Sequence, residues 1–388
     1  MTPNLALIGV VGTGTMGAGI AQVALEHGHE VAVHDVDEAA LERGHGRIRE
    51  GLGRRAAKLG LDADSIDDWV DGRLELLRRA STLDALAAEA DVVIEAALED
   101  LELKRTIFRA LDAAADRPDV VLATNTSALA VRDIAAATAR PDRVLGLHFF
   151  NPAPLMALVE VVAHGATAKP VVDRSVELVR SWGKTAVRCA DAPGFIVNRV
   201  NRPFTIEALR MLEAGEGSVE DIDAVMRDGG YPIGPFELMD LAGVDVNLAA
   251  ARGVWEGLGR PERFRPSSIQ ERLVEADQLG RKAGLGFYSY EAGRRVGLNL
   301  ALSALPASSL AGAEIRQRIE LAVINEAWHA LAEGVAAKED IDLAMRLGVG
   351  HPAGPFERTE ALGGRAVVRQ RLADLAAVWR RFTPAPGL

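Results

Sequence analysis

Two side chains in the stretch "GLHFFNPAPLMALVEV", residues 146–161, carry chemistry their neighbours lack: His148 and Glu160. "VLGLHFF" and "ALVEVV" both read as β-strands, and the two prolines of "NPAPLM" between them stop one strand and turn the chain. Facing residues of a reversal have a constant index sum, so a turn centred on Pro154 sets His148 opposite Glu160 with both side chains on one face. Glu160 shares that face with Leu158 and Val162, where an ionised carboxylate is costly unless paired and hydrogen-bonded. The imidazole is its natural partner. Such a pair is a general acid/base: the carboxylate fixes the tautomer through one ring nitrogen while the other exchanges a proton with substrate. From this stretch alone, a His and a Glu that merely satisfy each other fit equally well.

A second constellation lies upstream. "GVVGTGTMGAGIA" places Gly12, Gly14 and Gly17 in a GxGxxG that follows a strand and opens a helix. Gly12 permits the tight turn, Gly14 the approach of backbone to a pyrophosphate, and Gly17 the packing of helix on strand, with the helix N-terminus facing the phosphates. Asp35 closes the next strand, "EVAVHD", where a carboxylate can accept the ribose hydroxyls and repel a 2′-phosphate. NAD is therefore favoured over NADP, while FAD shares the glycine fingerprint. A hydride acceptor needs an acid/base group to oxidise an alcohol, which gives the His148–Glu160 pair a use. No metal site is expected: His27, His29 and His34 alternate through a turn and strand without the carboxylate or thiol partners a site requires.

Residues 43–58, "RGHGRIREGLGRRAAK", form a basic island with Arg43, Arg47, Arg49, Arg54, Arg55 and Lys58 against one acid, Glu50. An exposed helix face explains it; so does a landing site for a polyanionic handle such as the phosphates of coenzyme A. Composition alone does not decide.

The elements that must hold these groups follow from the rest of the chain. Its 388 residues, 48% of them hydrophobic, exceed one ordinary domain. The net charge of -11 argues against a general nucleic-acid surface. One cysteine, Cys189, excludes an internal disulfide framework and suits a reducing compartment. The N-terminus runs straight into a strand, and no apolar run reaches membrane-spanning length, so a cytoplasmic protein without membrane association is expected. Up to about residue 190 short apolar runs alternate with helical patterns ("LALIGVVG", "VAVHDV", "DVVIEAA", "VVLATNTS", "VLGLHFF", "ALVEVV"), which reads as an α/β, Rossmann-type, doubly wound sheet. Helical patterns then take over, and "EDIDAVMRDGGYPIGPFELMDLAG" from Glu220 returns as "EDIDLAMRLGVGHPAGPFERTEALGG" from Glu339. The expected domains are 1–189, 190–295 and a second, partial helical copy at 310–375, with "LNLALSALPASSLAG" as a linker.

At this point the chain resembles the L-3-hydroxyacyl-CoA dehydrogenases, including the 3-hydroxybutyryl-CoA and 3-hydroxyadipyl-CoA branches. "GTGTMGAGIA", "ATNTSAL", "GLHFFNPAPLMALVEVV", "APGFIVNRV", "GPFELMDLAG" and "GRKAGLGFYSY" are similar to family blocks in order, over about residues 5–290. The resemblance implies that His148 is the acid/base and Glu160 its partner. It implies that Ser127 of "NTS" and Asn198 of "FIVNR" hold the reacting oxygen and the thioester end. It adds Thr15, Met16, Glu99, Lys104, Ser127, Asn151 and Lys282 to the cofactor side, and Lys58 to the substrate side. By spacing alone, Ser127 could cap a helix and Asn198 could be an ordinary helix-face residue.

Two departures from the family pattern stand out. Gly51 replaces the serine usually offered to coenzyme A, and Gln317 stands where an ungapped overlay of the second copy places Asn198, so no second active site is expected. The implied reaction is reversible, NAD-dependent oxidation of a (3S)-3-hydroxyacyl-CoA to the 3-oxoacyl-CoA. A carrier-protein thioester or a free 3-hydroxy acid is the alternative substrate, and a non-catalytic NAD-binding protein the alternative of another class. Either a monomer whose helical copies form an internal pseudo-dimer or a homodimer is expected.

Overall fold

The computed structural model describes residues 6–302 and 310–388. The middle of the expected linker, residues 303–309, lies outside the described residues. The chain divides into two compact units, Met1–Ala192 and Pro193–Leu388.

The first unit is built on one sheet of eight strands: β1 (Leu7–Val11), β2 (Glu30–His34), β3 (Leu77–Arg79), β4 (Val92–Glu95), β5 (Val121–Thr124), β6 (Val144–Phe149), β7 (Leu158–Ala163) and β8 (Thr185–Ala190). Their spatial order is β3-β2-β1-β4-β5-β6-β7-β8. β1 to β6 are parallel, β7 runs antiparallel to β6, and β8 is parallel to β7. Helices cover the faces, so the central strands are buried on both sides and read as apolar runs, unbroken in β1 and closed by one acid, Glu95, in β4. The expected doubly wound sheet is present, with two more strands than the apolar runs announced. β3 is three residues long with its two arginines exposed, and β8 is a sheet edge whose outward positions carry Arg188 and Ala190. Neither presents the continuous apolar pattern that marks a central strand.

Two helices matter for the site. α1 (Thr15–Glu26) leaves the glycine turn after β1, and α2 (Glu38–Lys58), capped by the Asp37 carboxylate on the Ala40 N–H, carries the basic island. The second unit is helical apart from a hairpin of β9 (Tyr288–Glu291) and β10 (Arg294–Leu298). Its turn holds Ala292 and Gly293 at φ 47° and 74°. Two positive φ values usually call for Asn-Gly or Gly-Gly, and an alanine in the first place hides the hairpin from a sequence reading.

The internal repeat extends to hydrogen bonds. Asp223 accepts from the N–H groups of Phe236 and Glu237, and Glu237 accepts from Gly234 N–H. In the second copy Asp342 accepts from Phe356 and Glu357, and Glu357 from Gly354. Both glycines are required, because a Cβ at Gly234 or Gly354 would lie 2.3 or 2.2 Å from the carboxyl carbon of that aspartate. The copies pack together chiefly through Gly312–Ala332 and Arg202–Glu213, with buried ion pairs between them: Arg318 to Glu207 at 2.7 Å and Arg199 to Glu326 at 2.7 Å. His351 of the second copy bonds Asn201 Oδ1 of the first at 2.9 Å and packs its ring on Phe204 and Tyr231.

Burial pushes His351 down to about 3 from 6.5, and burial, with Arg263 beside it, pushes His329 down to about 4. Both are neutral in the fold, whereas the unfolded chain binds protons at these positions below pH 6.5, so acidification through that value removes stability. For His351 alone the loss at pH 5 is about 2 kcal/mol. Denaturant midpoints at pH 7 and pH 5 should therefore differ more for the wild type than for His351→Gln, which has no titrating group there; an equal pH dependence would refute the assignment.

Candidate active site

In an open α/β sheet, ligands bind beyond the carboxyl ends of the parallel strands, at the point where strand order reverses. Here the reversal falls between β1 and β4. The first unit's sequence-predicted cofactor and acid/base residues cluster at those ends: the glycine turn after β1, Asp35 after β2, Glu99 after β4, Ser127 after β5, and His148 and Asn151 at and beyond the end of β6.

The glycine turn has the shape a dinucleotide needs. Gly12 sits at φ 88°, and a Cβ there would lie 2.8 Å from the Ala96 carbonyl oxygen. A Cβ at Gly17 would lie 1.8 Å from the Gly12 carbonyl oxygen, so this glycine lets α1 close onto the turn. Gly14 differs: nothing lies within 4 Å of the position its Cβ would take, and no side chain caps the N-terminus of α1 there. Open space at an uncapped helix N-terminus, where N–H groups and the helix dipole favour an anion, fits a pyrophosphate. Thr15 and Met16 form the first turn of that helix.

Asp35 is gripped by the turn itself. Its Oδ2 accepts from the Thr13 N–H at 2.6 Å and from the Thr13 hydroxyl at 2.8 Å, and its Oδ1 from the Val36 N–H at 2.7 Å. Burial by itself would raise this carboxyl, but the three hydrogen bonds outweigh it and hold it below the usual range. The charge expected from the sequence to favour NAD over NADP is thereby held in place, and Thr13, absent from the sequence reading, is the residue that holds it.

Glu99 and Lys104 belong to a second network, whose centre, Glu95, also went unread. Glu95 is fully buried at the end of β4 and accepts from Lys104 Nζ at 2.6 Å, Ala97 N–H at 2.7 Å and the Thr124 hydroxyl at 2.7 Å. Lys104 is 1% exposed, so it is placed beneath the surface, with Glu99 3.4 Å away on its other side. Glu99 in turn accepts from the Thr126 hydroxyl and from the N–H groups of Ser127 and Ala128. One carboxylate thus sets the backbone of the "NTS" turn. Ser127 is exposed in the first unit, and the next helix is capped at Ala130, so Ser127 is not its cap. Asn125 ties this turn to β6 by accepting from the Phe149 N–H at 2.9 Å.

His148 and Glu160 face each other across β6 and β7 in the register expected from a reversal about Pro154. Nδ1 of His148 lies 2.6 Å from Glu160 Oε2, with the residues 6% and 0% exposed. The carboxylate is the acceptor, so Nδ1 carries the proton and proton exchange falls to Nε2. Phe150 packs at 4.5 Å between ring centroids and restricts the imidazole further. Lys184 holds the connecting loop by donating to the carbonyls of Ala153 and Met156, both at 2.7 Å.

The basic island lines a groove of about 600 Å³ between α1, α2 and residues 152–155, with Arg47, Arg54, Arg55 and Lys58 on its wall. Gly51 lies in the same groove, where a Cβ would fall 1.9 Å from Oε1 at the flexible end of Gln22, which would have to swing aside. Gln22 is buried, with its amide nitrogen on Glu26 at 2.7 Å. Asn151 is exposed at the start of that loop. In the second unit, Asn198 is half-buried on the short helix Val197–Val200, and Lys282 pairs with both oxygens of Asp245 at 2.7 Å. The histidines dismissed as metal ligands each place Nδ1 on a backbone carbonyl: Val23 for His27, Ala6 for His29 and Ala80 for His34.

A glycine turn with its acidic partner and a buried His–Glu pair, all at the carboxyl ends of one parallel sheet, define a dinucleotide-dependent dehydrogenase. Comparison with known proteins narrows the class. Residues 7–192 match the family model described as 3-hydroxyacyl-CoA dehydrogenase, NAD binding domain, and residues 194–290 and 315–385 match that of the C-terminal domain. The chain is 38% identical to a 3-hydroxyadipyl-CoA dehydrogenase of Escherichia coli (strain K12), over 95% of this chain and 93% of the relative. It is 41% identical to a 3-hydroxybutyryl-CoA dehydrogenase of Mycobacterium tuberculosis, over 75% of this chain and all of that one. The crystal structure of 3-hydroxybutyryl-CoA dehydrogenase from Escherichia coli K12 superposes with a TM-score of 0.88 at 37% identity, covering 99% of this chain and 97% of the other. The chain belongs to the 3-hydroxyacyl-CoA dehydrogenase family, and its cofactor is NAD.

Asp35 generates a direct test. The wild type should use NADH over NADPH by on the order of 100-fold in kcat/KM, since a 2′-phosphate would meet a fixed carboxylate. Asp35→Ser should shrink that ratio mainly by improving NADPH; comparable efficiencies in the wild type would remove Asp35 from the cofactor site.

Proposed function

We propose that the chain catalyses the reversible oxidation of a (3S)-3-hydroxyacyl-CoA to the 3-oxoacyl-CoA, with His148 as the general acid/base. The observation that carries the reading is the buried 2.6 Å pair of His148 and Glu160, whose geometry leaves Nε2 to take the substrate's hydroxyl proton. NAD, when bound, accepts the hydride from C3. Gly12, Gly14, Gly17, Thr15 and Met16 would hold its pyrophosphate, Asp35 its ribose, and Asn151 and Lys282 its remaining surface. Glu160 stabilises the imidazolium that forms as the alcohol loses its proton. Ser127 and Asn198 hold the reacting oxygen and the thioester end. Glu99, held by Lys104, keeps the Ser127 turn in place.

The groove beside α2 favours a coenzyme A thioester over a free hydroxy acid, because a cluster of arginines and Lys58 in an otherwise acidic chain suits a polyphosphate handle. Gln22 presents its amide where the family pattern has a serine. Residues 190–295 and 310–375 are read as two copies of one helical module forming a pseudo-dimer within a monomer, supported by their shared Asp–Gly–Glu hydrogen bonding. No helix among the described residues is long and apolar enough to cross a membrane. The lone Cys189 suits a reducing compartment, and we place the enzyme in the cytoplasm.

Following NADH absorbance with acetoacetyl-CoA tests the reading. His148→Ala should lower kcat by about 10² to 10⁴. Glu160→Gln should lower it nearly as much, and the double variant should be little worse than the poorer single one, since a partner with no imidazole to orient has nothing left to do. Near-normal turnover by His148→Ala would refute the assignment. A second comparison addresses the handle: Arg54→Ala combined with Lys58→Ala should raise KM for the coenzyme A thioester and leave the pantetheine thioester unchanged, whereas equal effects on both would take the handle out of the groove.

A further inference from the structure

The groove beside α2 has an order along its length. On α1, Gly19 lies against the loop after β6, where a Cβ would fall 3.1 Å from Pro154. Gln22, one turn on, stands opposite Gly51 of α2, and Glu26, one turn further, pairs with Arg55 of α2 at 3.4 Å. Lys58 ends α2 three residues beyond Arg55. At the other end, Pro154 belongs to the loop that joins the strands of His148 and Glu160. The groove therefore runs from the basic end of α2, past Gln22, to the loop between the two members of the acid/base pair.

The amide of Gln22 can point only one way. Nε2 donates to Glu26 Oε1 at 2.7 Å, and turning the amide over would set its oxygen against a carboxylate that has no proton to give. Oε1 is thereby aimed at Gly51, into the space a side chain there would fill, and it accepts no hydrogen bond among the described residues. Gln22 is 6% exposed and lies on the groove wall, so this acceptor has little water to turn to and is open to a donor on a ligand. Phosphate oxygens are acceptors, as is a thioester carbonyl, so neither the charged handle nor the reacting end of an acyl-CoA meets the need. Between those two ends lies the pantetheine arm, which carries two amide N–H groups.

We propose that Gln22 Oε1 accepts a hydrogen bond from an amide N–H of the pantetheine arm, which makes Gln22 a specificity-determining residue midway along the groove, with Glu26 setting its orientation and Gly51 leaving it room. Gln22 lies one helical turn from the Pro154 end and one from the Arg55 end, so an arm stretched from the basic cluster towards His148 has to cross it. The proposal rests on the reading of this groove as the thioester's and names the part of the thioester that its middle recognises.

The test pairs a change on the protein with a change on the substrate. Gln22→Met keeps the length of the side chain without its amide, and acetoacetyl-pantetheine is made with each of its two amides replaced in turn by an ester, which has no N–H. With the wild type, one of the two esters should show a KM about 3- to 10-fold above the parent, with kcat little changed. Gln22→Met should raise KM for the parent by a similar factor and lose nothing more with that ester; the ester that couples identifies the N–H. Additive losses overturn the proposal, and are the result expected if Gln22 only packs α1 against α2. Equal efficiency of the wild type with the parent and both esters also overturns it, a result that stands even if Gln22→Met does not fold. The coenzyme A and pantetheine thioesters should suffer alike in Gln22→Met, whereas a loss confined to coenzyme A would assign the donor to its adenine or ribose and overturn the proposal. If the Arg54→Ala, Lys58→Ala comparison takes the handle out of the groove, that reading fails by itself; the coupling between Gln22 and an ester still judges Gln22, its presence supporting the contact and its absence overturning it.

Discussion

A carboxylate with none of its surface in water has to be met by donors, and the first unit is arranged around two of them. Glu160 meets an imidazole across the only antiparallel pairing among the described strands of its sheet, and Glu95 meets a lysine, a hydroxyl and a backbone N–H at the end of a parallel strand. Strand register places His148 and Thr124, and the helix Leu101–Ala114 places Lys104. The reversal of direction between β6 and β7 is what the acid/base pair depends on: a parallel neighbour would need a long crossover, whereas a loop short enough for Lys184 to pin brings a histidine and a glutamate twelve residues apart face to face. The parallel strands bring the glycine turn, Asp35 and the Ser127 turn to one edge, and the reversal adds a rigid imidazole to that edge.

What the sequence disclosed depended on whether a residue's role was local. The His148–Glu160 pairing needed only two strands and a turn, so index arithmetic about Pro154 found it. The glycine turn was legible for the same reason: strand, turn, helix and the next strand's acid fall within one βαβ unit. Glu95 escaped because it ends an apolar run, "VVIE", where a single acid reads as the strand's exit into solvent; its partners Lys104 and Thr124 arrive from other elements. A charged residue closing a buried central strand is the signal that could have found it. Gln22 escaped because one polar residue in the apolar pattern of α1 carries no information until α2 is laid against it. The second unit's repeat was plain as text, yet Asp223 and Asp342 gave no hint that they hold the start of the following helix rather than lie on an acidic face.

The two helical copies differ in how they use charge. Within each copy, aspartate and glutamate serve backbone N–H groups, a device both retain. Between copies, arginines and glutamates cross in buried pairs, so neither copy is electrostatically complete by itself: Glu326 of the second is shared by Arg199 and Arg263 of the first, and Glu207 of the first by Arg318 and Arg381. Removing one partner of such a cluster leaves a charge with no water to turn to. The fold of the second unit is therefore a single cooperative object even though its sequence reads as two.

The contact between Gln22 and Gly51 couples two helices in one direction only. With the amide oxygen 1.9 Å from where a Cβ would stand, a side chain at position 51 has room only if the end of Gln22 swings aside and leaves its place on Glu26. A shorter residue at position 22 asks nothing of Gly51. The tolerance of α2 at this point is therefore set from α1: what position 51 can carry depends on which way one amide on the neighbouring helix is turned.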